Sequence, residues 1–197
     1  FYKANCRHFY VAHAGEGMAV RAALDGDGAQ VPGVSDAQVY VLNGPRGATP
    51  QEFASQNLTP VLNSLEDIEY WSGFAKETGT RRPALIQIDT GMNRLGLSAG
   101  DVNRLAGRKD MLKALGIRYL MSHLACGDEQ THPKNRDQLE KFRHLTGLLD
   151  IPARLSLANS AGIFLGPEYH FDQARPGCAL YGISPLSEGK NPLHSTV

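Results

Sequence analysis

The stretch ALIQIDTGMNRLGLSAGDVNRL at residues 84–105 carries the clearest signal for the fold of the chain. Its apolar start, Ala84–Ile88, is a strand-sized run, and the polar, glycine-containing segment behind it is typical of a loop. Ser98, followed three positions later by Asp101, is a signal for the start of a helix. The stretch therefore predicts a strand, a loop and a helix in that order.

The same alternation runs through the rest of the chain. Ser64 with Asp67 predicts a second capped helix, and Lys134–Leu149 carries an apolar stripe at helical spacing. Six more strands are predicted, at His8–Ala12, Gln38–Leu42, Pro60–Leu62, Tyr119–His123, Arg154–Ala158 and Gly177–Tyr181. Strands that alternate with helices imply parallel βαβ units. A spacing of roughly 20–35 residues between strand starts favours an incomplete (β/α)8 TIM-type barrel with about seven strand/helix units. A doubly wound open sheet is the alternative.

Composition excludes several classes of function. The 197 residues hold 20 basic and 20 acidic side chains, so a general nucleic-acid-binding or acidic-membrane surface is not expected. The apolar runs are far shorter than the roughly 20 residues of a membrane span. Three cysteines lie far apart, which predicts neither a disulfide framework nor a metal cluster. A reducing compartment, and hence a cytoplasmic location, is the expectation.

Polar side chains follow two of the predicted strands, where barrels carry their functional groups. Arg94 lies in the loop of residues 89–96, and its guanidinium could bind a phenolate, carboxylate or phosphate. A turn with a surface salt bridge is the alternative for Arg94. His123 ends the next strand and could orient a catalytic group or support a cofactor ring. A purely structural histidine is the alternative there.

Two later segments together predict a phosphate site. Asn159 and Ser160 begin a small polar run that opens a helix, where backbone N–H groups and a hydroxyl can bind an anion. A plain helix cap by either residue is the alternative. Gly177, behind Arg175, lets the backbone approach a ligand closely. Phosphate sites of these barrels are often built from the loops after the last two strands.

Taken in order, these segments resemble the signatures of the alanine racemase family. The matching segments are Asp89–Gly96, Ser122–Ala125, Ala158–Gly162 and Arg175–Gly182, and Cys6–Ala12 with Glu16, Gly17 and Arg21 resembles the family's second strand and helix. The resemblance implies a barrel that binds pyridoxal 5'-phosphate (PLP) over residues 1–185. It also implies that residues 186–197 begin the connection to a C-terminal β-domain outside the chain.

The resemblance implies a role for each matching site residue. Arg175 matches the arginine that donates to the pyridine nitrogen of PLP, and Ser160 matches the serine that binds the phosphate. Gly177 and Cys178 match the backbone N–H donors to the phosphate. Arg94 matches the arginine near the phenolic oxygen of the cofactor. His123 matches the histidine that is linked to the catalytic tyrosine of the partner subunit.

Two positions depart from the family pattern. Gln87 stands where many members carry a carbamylated lysine that positions the arginine matching Arg94. Gln87 offers a neutral amide there instead, with or without help from an anion. Lys3 superficially matches the segment of the Schiff-base lysine, but Asn5 runs directly into the predicted strand that follows. Lys3 is therefore predicted at the end of the first helix, and not as the lysine that binds PLP.

The implied activity is the interconversion of L- and D-alanine, which supplies D-alanine for peptidoglycan. The implied enzyme is a homodimer with shared active sites. The two proton-exchanging residues, a lysine and a tyrosine, are expected outside residues 1–197, so this chain alone is expected not to racemise alanine. The alternatives are a broad-specificity amino-acid racemase, a non-catalytic PLP-binding protein and a phosphate-binding barrel without PLP.

Overall fold

The computed structural model describes residues 1–26 and 36–194, in which strands and helices alternate. The strands are β1 His8–Val11, β2 Gln38–Val41, β3 Leu58–Leu62, β4 Arg82–Gln87, β5 Leu115–Met121 and β6 Arg154–Ser156. The α-helices are α1 Ala14–Gly26, α2 Pro50–Ser55, α3 Leu65–Glu77, α4 Ala99–Ala106 and α5 Lys134–Leu149. Short 3-10 helices span Tyr2–Ala4, Lys109–Leu112, Gly162–Phe164, Pro167–Tyr169 and Cys178–Tyr181. Among the described residues, no helix is long and apolar enough to cross a membrane.

The chain divides into two compact units. The first comprises Phe1–Leu85 and Asp110–Gly116 and holds the strand order β1-β2-β3-β4. Its pairings β1–β2 and β2–β3 are parallel, with Tyr10 opposite Tyr40 and Tyr40 opposite Thr59. Buried Trp71 of α3 donates its indole N–H to the carbonyl oxygen of Pro83 at 3.1 Å, which fastens the helix to β4.

The second unit comprises Ile86–Lys109 and Ile117–Val197 and contains the candidate site. The last residues of β4, Ile86 and Gln87, belong to this unit, so the order here is β4-β5-β6. Strand β5 pairs with β6 in parallel, with Leu120 opposite Leu155. Helix α5 packs on this unit through an apolar cluster. The cluster consists of Leu124, Leu139, Phe142, Leu157 and Tyr169. Because parallel strands end at the same edge of a sheet, the loops after β5 and β6 lie side by side.

These observations confirm the predicted α/β class with successive parallel strands. Neither unit reverses its strand order, whereas a doubly wound sheet reverses it at a switch point. Helix α5 has the predicted bounds. Ser64 and Ser98 cap α3 and α4 by accepting from the backbone N–H groups of Asp67 and Asp101.

The predicted strand at Gly177–Tyr181 is wrong. Cys178–Tyr181 forms a 3-10 helix, and strand-like pairing in this region is reduced to an isolated bridge between Asn159 and Arg175. Pro176 has no N–H to extend a ladder, and Gly177 turns the chain with φ −120° and ψ −88°. Five strands also end earlier than predicted: β1, β2 and β4 by one residue each, and β5 and β6 by two residues, at Met121 and Ser156. His123 and Ala158 therefore lie in loops.

Candidate functional site

A cavity of about 340 Å³ opens where the strands of the second unit end. Its walls come from the loops after β5 and β6 and from the segment around Gly177. They consist of His123, Leu124, Ala125, Gly127, Asp128, Asn159, Ser160, Ala161, Arg175, Gly177, Cys178 and Pro185. Five of the six predicted site residues thus meet in one cavity, and the sixth, Arg94, lies exposed in the loop after β4.

The guanidinium of Arg175 is held by atoms from the ends of two strands. It donates to the hydroxyl of Ser156 and to the carbonyl oxygens of Ser122 and Leu157. Its backbone N–H donates to the carbonyl oxygen of Ala158 at 2.9 Å. This anchoring fixes a permanent positive charge in the wall of the cavity.

Ser160 and Gly177 form one hydrogen-bonded corner of the cavity. The Ser160 hydroxyl oxygen accepts from the backbone N–H of Gly177 at 2.7 Å and from that of Ala179 at 3.4 Å. The helix predicted after Ser160 is only the 3-10 turn Gly162–Phe164, which begins after Ala161 without a side-chain cap, and Asn159 Oδ1 accepts from Gly162 N–H at 2.9 Å. The mostly buried Ser160 hydroxyl lies against the Gly177 segment.

His123 is a neutral imidazole at physiological pH. Burial, followed by the positive charges of Arg175 and Arg94, lowers its pKa from 6.5 to about 4. Nδ2 of Asn159 lies 3.3 Å from Nε2 of His123. A neutral imidazole keeps one donor and one acceptor nitrogen, so His123 can orient a neighbouring group through hydrogen bonds.

The loop that carries Arg94 is closed by backbone bonds at both ends. Asp89 N–H donates to Leu97 O at 2.9 Å, and Leu97 N–H donates to Gln87 O at 2.8 Å. Gly96 lies between them with φ +113°, and an added Cβ would come within 2.9 Å of the Asp89 nitrogen. The Gln87 amide donates to Leu95 O at 3.2 Å, so it supports the backbone beside Arg94.

Comparison with known proteins assigns the family. The family model for the N-terminal domain of alanine racemase matches residues 1–185. The chain belongs to the alanine racemase family. The alanine racemase of Brucella ovis is 45% identical over 206 aligned residues, which cover 99% of this chain and 49% of that protein. The alanine racemase of Rickettsia conorii is 44% identical over 190 aligned residues, which cover 96% of this chain and 50% of that protein.

Solved structures of alanine racemases share the fold. The alanine racemase from Bartonella henselae, with covalently bound pyridoxal phosphate, gives a TM-score of 0.89 at 34% identity, covering 98% of this chain and 54% of that one. The alanine racemase from Streptomyces coelicolor gives a TM-score of 0.77 at 30% identity, covering 91% of this chain and 48% of that one. The predicted incomplete barrel is thereby confirmed. The chain spans about half the length of the relatives it matches.

Sequence reasoning missed the residue that holds the loop after β5. Gln138 of α5 is fully buried, and its amide donates to His123 O at 2.9 Å and accepts from Ala125 N–H at 2.9 Å. It also donates to the Thr90 hydroxyl at 3.1 Å, which shares a hydrogen bond with Ser122 Oγ at 2.8 Å. A polar residue on the apolar face of α5 was the available signal.

Lys3 is not among the residues that line the cavity. It lies in the 3-10 helix Tyr2–Ala4, in the first unit, where the sequence had predicted the end of a helix. Its exclusion as the lysine that binds PLP stays a prediction.

Proposed function

We propose that this chain forms the PLP-binding part of an enzyme that interconverts L- and D-alanine. The observation that carries the proposal is the meeting of His123, Ser160, Arg175 and Gly177 in one cavity at the strand ends. The names of the relatives and the bound cofactor of the Bartonella henselae enzyme support the same activity.

The residues of the cavity suit the parts of PLP. For the phosphate, Ser160 supplies a hydroxyl. The backbone N–H groups of Gly177 and Cys178 are the other proposed donors. A Cβ placed on Gly177 would meet only the Ser160 oxygen, at 4.0 Å, so that face is open to a ligand. A volume of about 340 Å³ is within the range of small-cofactor sites. Arg94 is the last of the residues proposed to hold PLP, and its place is beside the phenolic oxygen of the cofactor.

Arg175 is proposed to determine whether the pyridine nitrogen of the cofactor is protonated. When bound, PLP supplies an electron sink that stabilises negative charge at the Cα of an amino acid. Arg175 is always protonated, so toward the pyridine nitrogen it can only donate. Its bonds to Ser156 Oγ and Ser122 O hold the guanidinium in place, so it would keep that nitrogen unprotonated when PLP is bound.

The complete enzyme is proposed to be a homodimer with shared active sites. In this arrangement His123 supports a tyrosine of the partner subunit, and a lysine and that tyrosine exchange the proton on the two faces of the amino acid. The product D-alanine is a building block for peptidoglycan. The three cysteines are free thiols, which fits action in the cytoplasm.

Racemisation of alanine by the full-length protein tests the proposal. Purified protein with PLP is incubated with L-alanine, and D-alanine is measured over time beside a panel of other amino acids. Turnover confined to alanine is the expected result, and equal turnover of several amino acids would favour a broad-specificity racemase. Bound PLP without turnover of any amino acid would favour a non-catalytic PLP-binding protein, and no PLP binding would refute the proposal.

A further inference from the structure

Asn159 has an amide whose orientation is fixed by its neighbours. Its Oδ1 accepts from Gly162 N–H at 2.9 Å, so its Nδ2 faces His123 Nε2 at 3.3 Å and Leu124 O at 3.4 Å. A reversed amide would set N–H against N–H at Gly162 and oxygen against oxygen at Leu124. Both contacts favour the same orientation.

Two glycines keep the Asn159 side chain in place. A Cβ on Gly127 or on Gly162 would lie 3.3 Å from Asn159 Oδ1, and a Cβ on Gly162 would lie 2.6 Å from Leu124 Cδ1. The backbone at these positions therefore packs directly against the amide. The side chain has little room to turn away from His123.

We propose that Asn159 is a positioning residue that holds His123 in the tautomer with its proton on Nδ1. An amide nitrogen can only donate, so Nε2 of His123 must be the acceptor. The second ring nitrogen, Nδ1, is then an N–H donor. The inference rests on the proposed function only in treating His123 as a site residue.

The charges around His123 favour the neutral ring that this arrangement requires. Burial disfavours an imidazolium most strongly, and the positive charges of Arg175 and Arg94 act in the same direction. The carboxylate among the cavity residues is that of Asp128, which is exposed at the rim. A neutral His123 with Nδ1–H can donate to an oxygen that carries negative charge, such as a phenolate or a carboxylate. Asn159 would thus decide that His123 donates to its site partner.

Nitrogen-15 NMR of the histidine rings in the full-length protein tests this inference. Two-bond couplings to the carbon-bound ring protons distinguish the two neutral tautomers, and the His123 signals are assigned by their loss in His123→Gln. At pH 7 the expected result is a proton on Nδ1 and none on Nε2. A His123 ring protonated on Nε2 in the wild-type protein would overturn the inference. This measurement needs no variant at Asn159.

The variant Asn159→Asp tests whether Asn159 determines the tautomer of His123. A carboxylate can only accept, so the proton should move to Nε2, and the pKa of His123 should rise by about one to three units. An unchanged tautomer in a folded variant would count against Asn159 as its determinant. The matched control is Asn43→Asp, because Asn43 Nδ2 lies 3.2 Å from Nδ1 of His13 in the first unit. That control should leave the His123 signals unchanged. The spectra do not depend on turnover, so a protein without racemase activity would refute the proposed function and leave this result standing.

Discussion

Replacing Gln138 with Met should destabilise the protein and loosen the loop that carries His123. Methionine has nearly the same length and helix propensity, so α5 itself should persist. The three hydrogen bonds of the amide, to His123 O, Ala125 N–H and the Thr90 hydroxyl, would be lost. The hydroxyl keeps its bond to Ser122, but the two backbone groups would lose a buried partner.

The magnitude follows from those two backbone groups. A buried polar group left without a partner costs about 1–3 kcal/mol, so two of them should lower the free energy of unfolding by about 2–6 kcal/mol. Gln51→Met, on an exposed position of α2, is the matched control and should change it by less than about 0.5 kcal/mol.

Urea unfolding and amide hydrogen exchange at pH 7.5 measure the effect. The free energy of unfolding should fall in Gln138→Met and not in Gln51→Met. Exchange at the Ala125 amide should accelerate, because this N–H donates directly to the Gln138 side chain. Stability within about 0.5 kcal/mol of wild type, together with unchanged protection at Ala125, would refute the reasoning.

Three further predictions concern stability. Gly96→Ala should lower the free energy of unfolding in urea by about 2 kcal/mol or more, because the φ of Gly96 is +113° and the new Cβ would lie 2.9 Å from Asp89 N. Its control, Gly100→Ala in α4, should be neutral or stabilising. Ser98→Ala removes a capping box and should cost about 1 kcal/mol in the same assay; no change would contradict the cap. The pKa of His123 is about 4 when folded and 6.5 ordinarily, so the unfolded chain binds its proton more tightly and stability falls as pH drops from about 6.5 to about 4. Between pH 7.5 and 5.0 this loss should be about 2 kcal/mol by unfolding titration, and an equal loss in His123→Gln would contradict the assignment.

Local patterns predicted the helices α3, α4 and α5 well. The bounds of α5 follow from apolar residues at helical spacing, and the starts of α3 and α4 follow from capping serines three positions before an acidic residue. Both signals depend on neighbours along the chain. They can therefore be read without knowledge of tertiary contacts.

The misplaced strand at Gly177–Tyr181 shows the limit of the same approach. Its leucine and tyrosine suit a strand, but Pro176 and Gly177 interrupt the backbone pairing that a strand needs. The residues Ser160 and Gly177 were nevertheless predicted as neighbours, because loops after successive barrel strands lie side by side.

The contacts that position His123 had little local signature. Gln138 reaches His123 O across 15 positions, and Asn159 reaches the His123 ring across 36. In the sequence Asn159 suggested an anion site or a helix cap, and neither of these predicts a contact with the His123 ring. Such amide pairs depend on tertiary packing, which a single sequence does not display.

The affinity of the full-length apoprotein for PLP and for pyridoxal, which lacks the phosphate, tests the central claim most directly. The claim is that Ser160 and the Gly177 segment hold the phosphate. Loss of a hydrogen bond to a charged group costs about 1.5–3 kcal/mol, so Ser160→Ala should raise the Kd of PLP about tenfold or more and leave that of pyridoxal nearly unchanged. Ser55→Ala is the control: the exposed Ser55 hydroxyl of α2 donates to Glu52 O, and its loss should change neither Kd. An unchanged Kd of PLP in Ser160→Ala, or an equal loss for both compounds, would contradict the account.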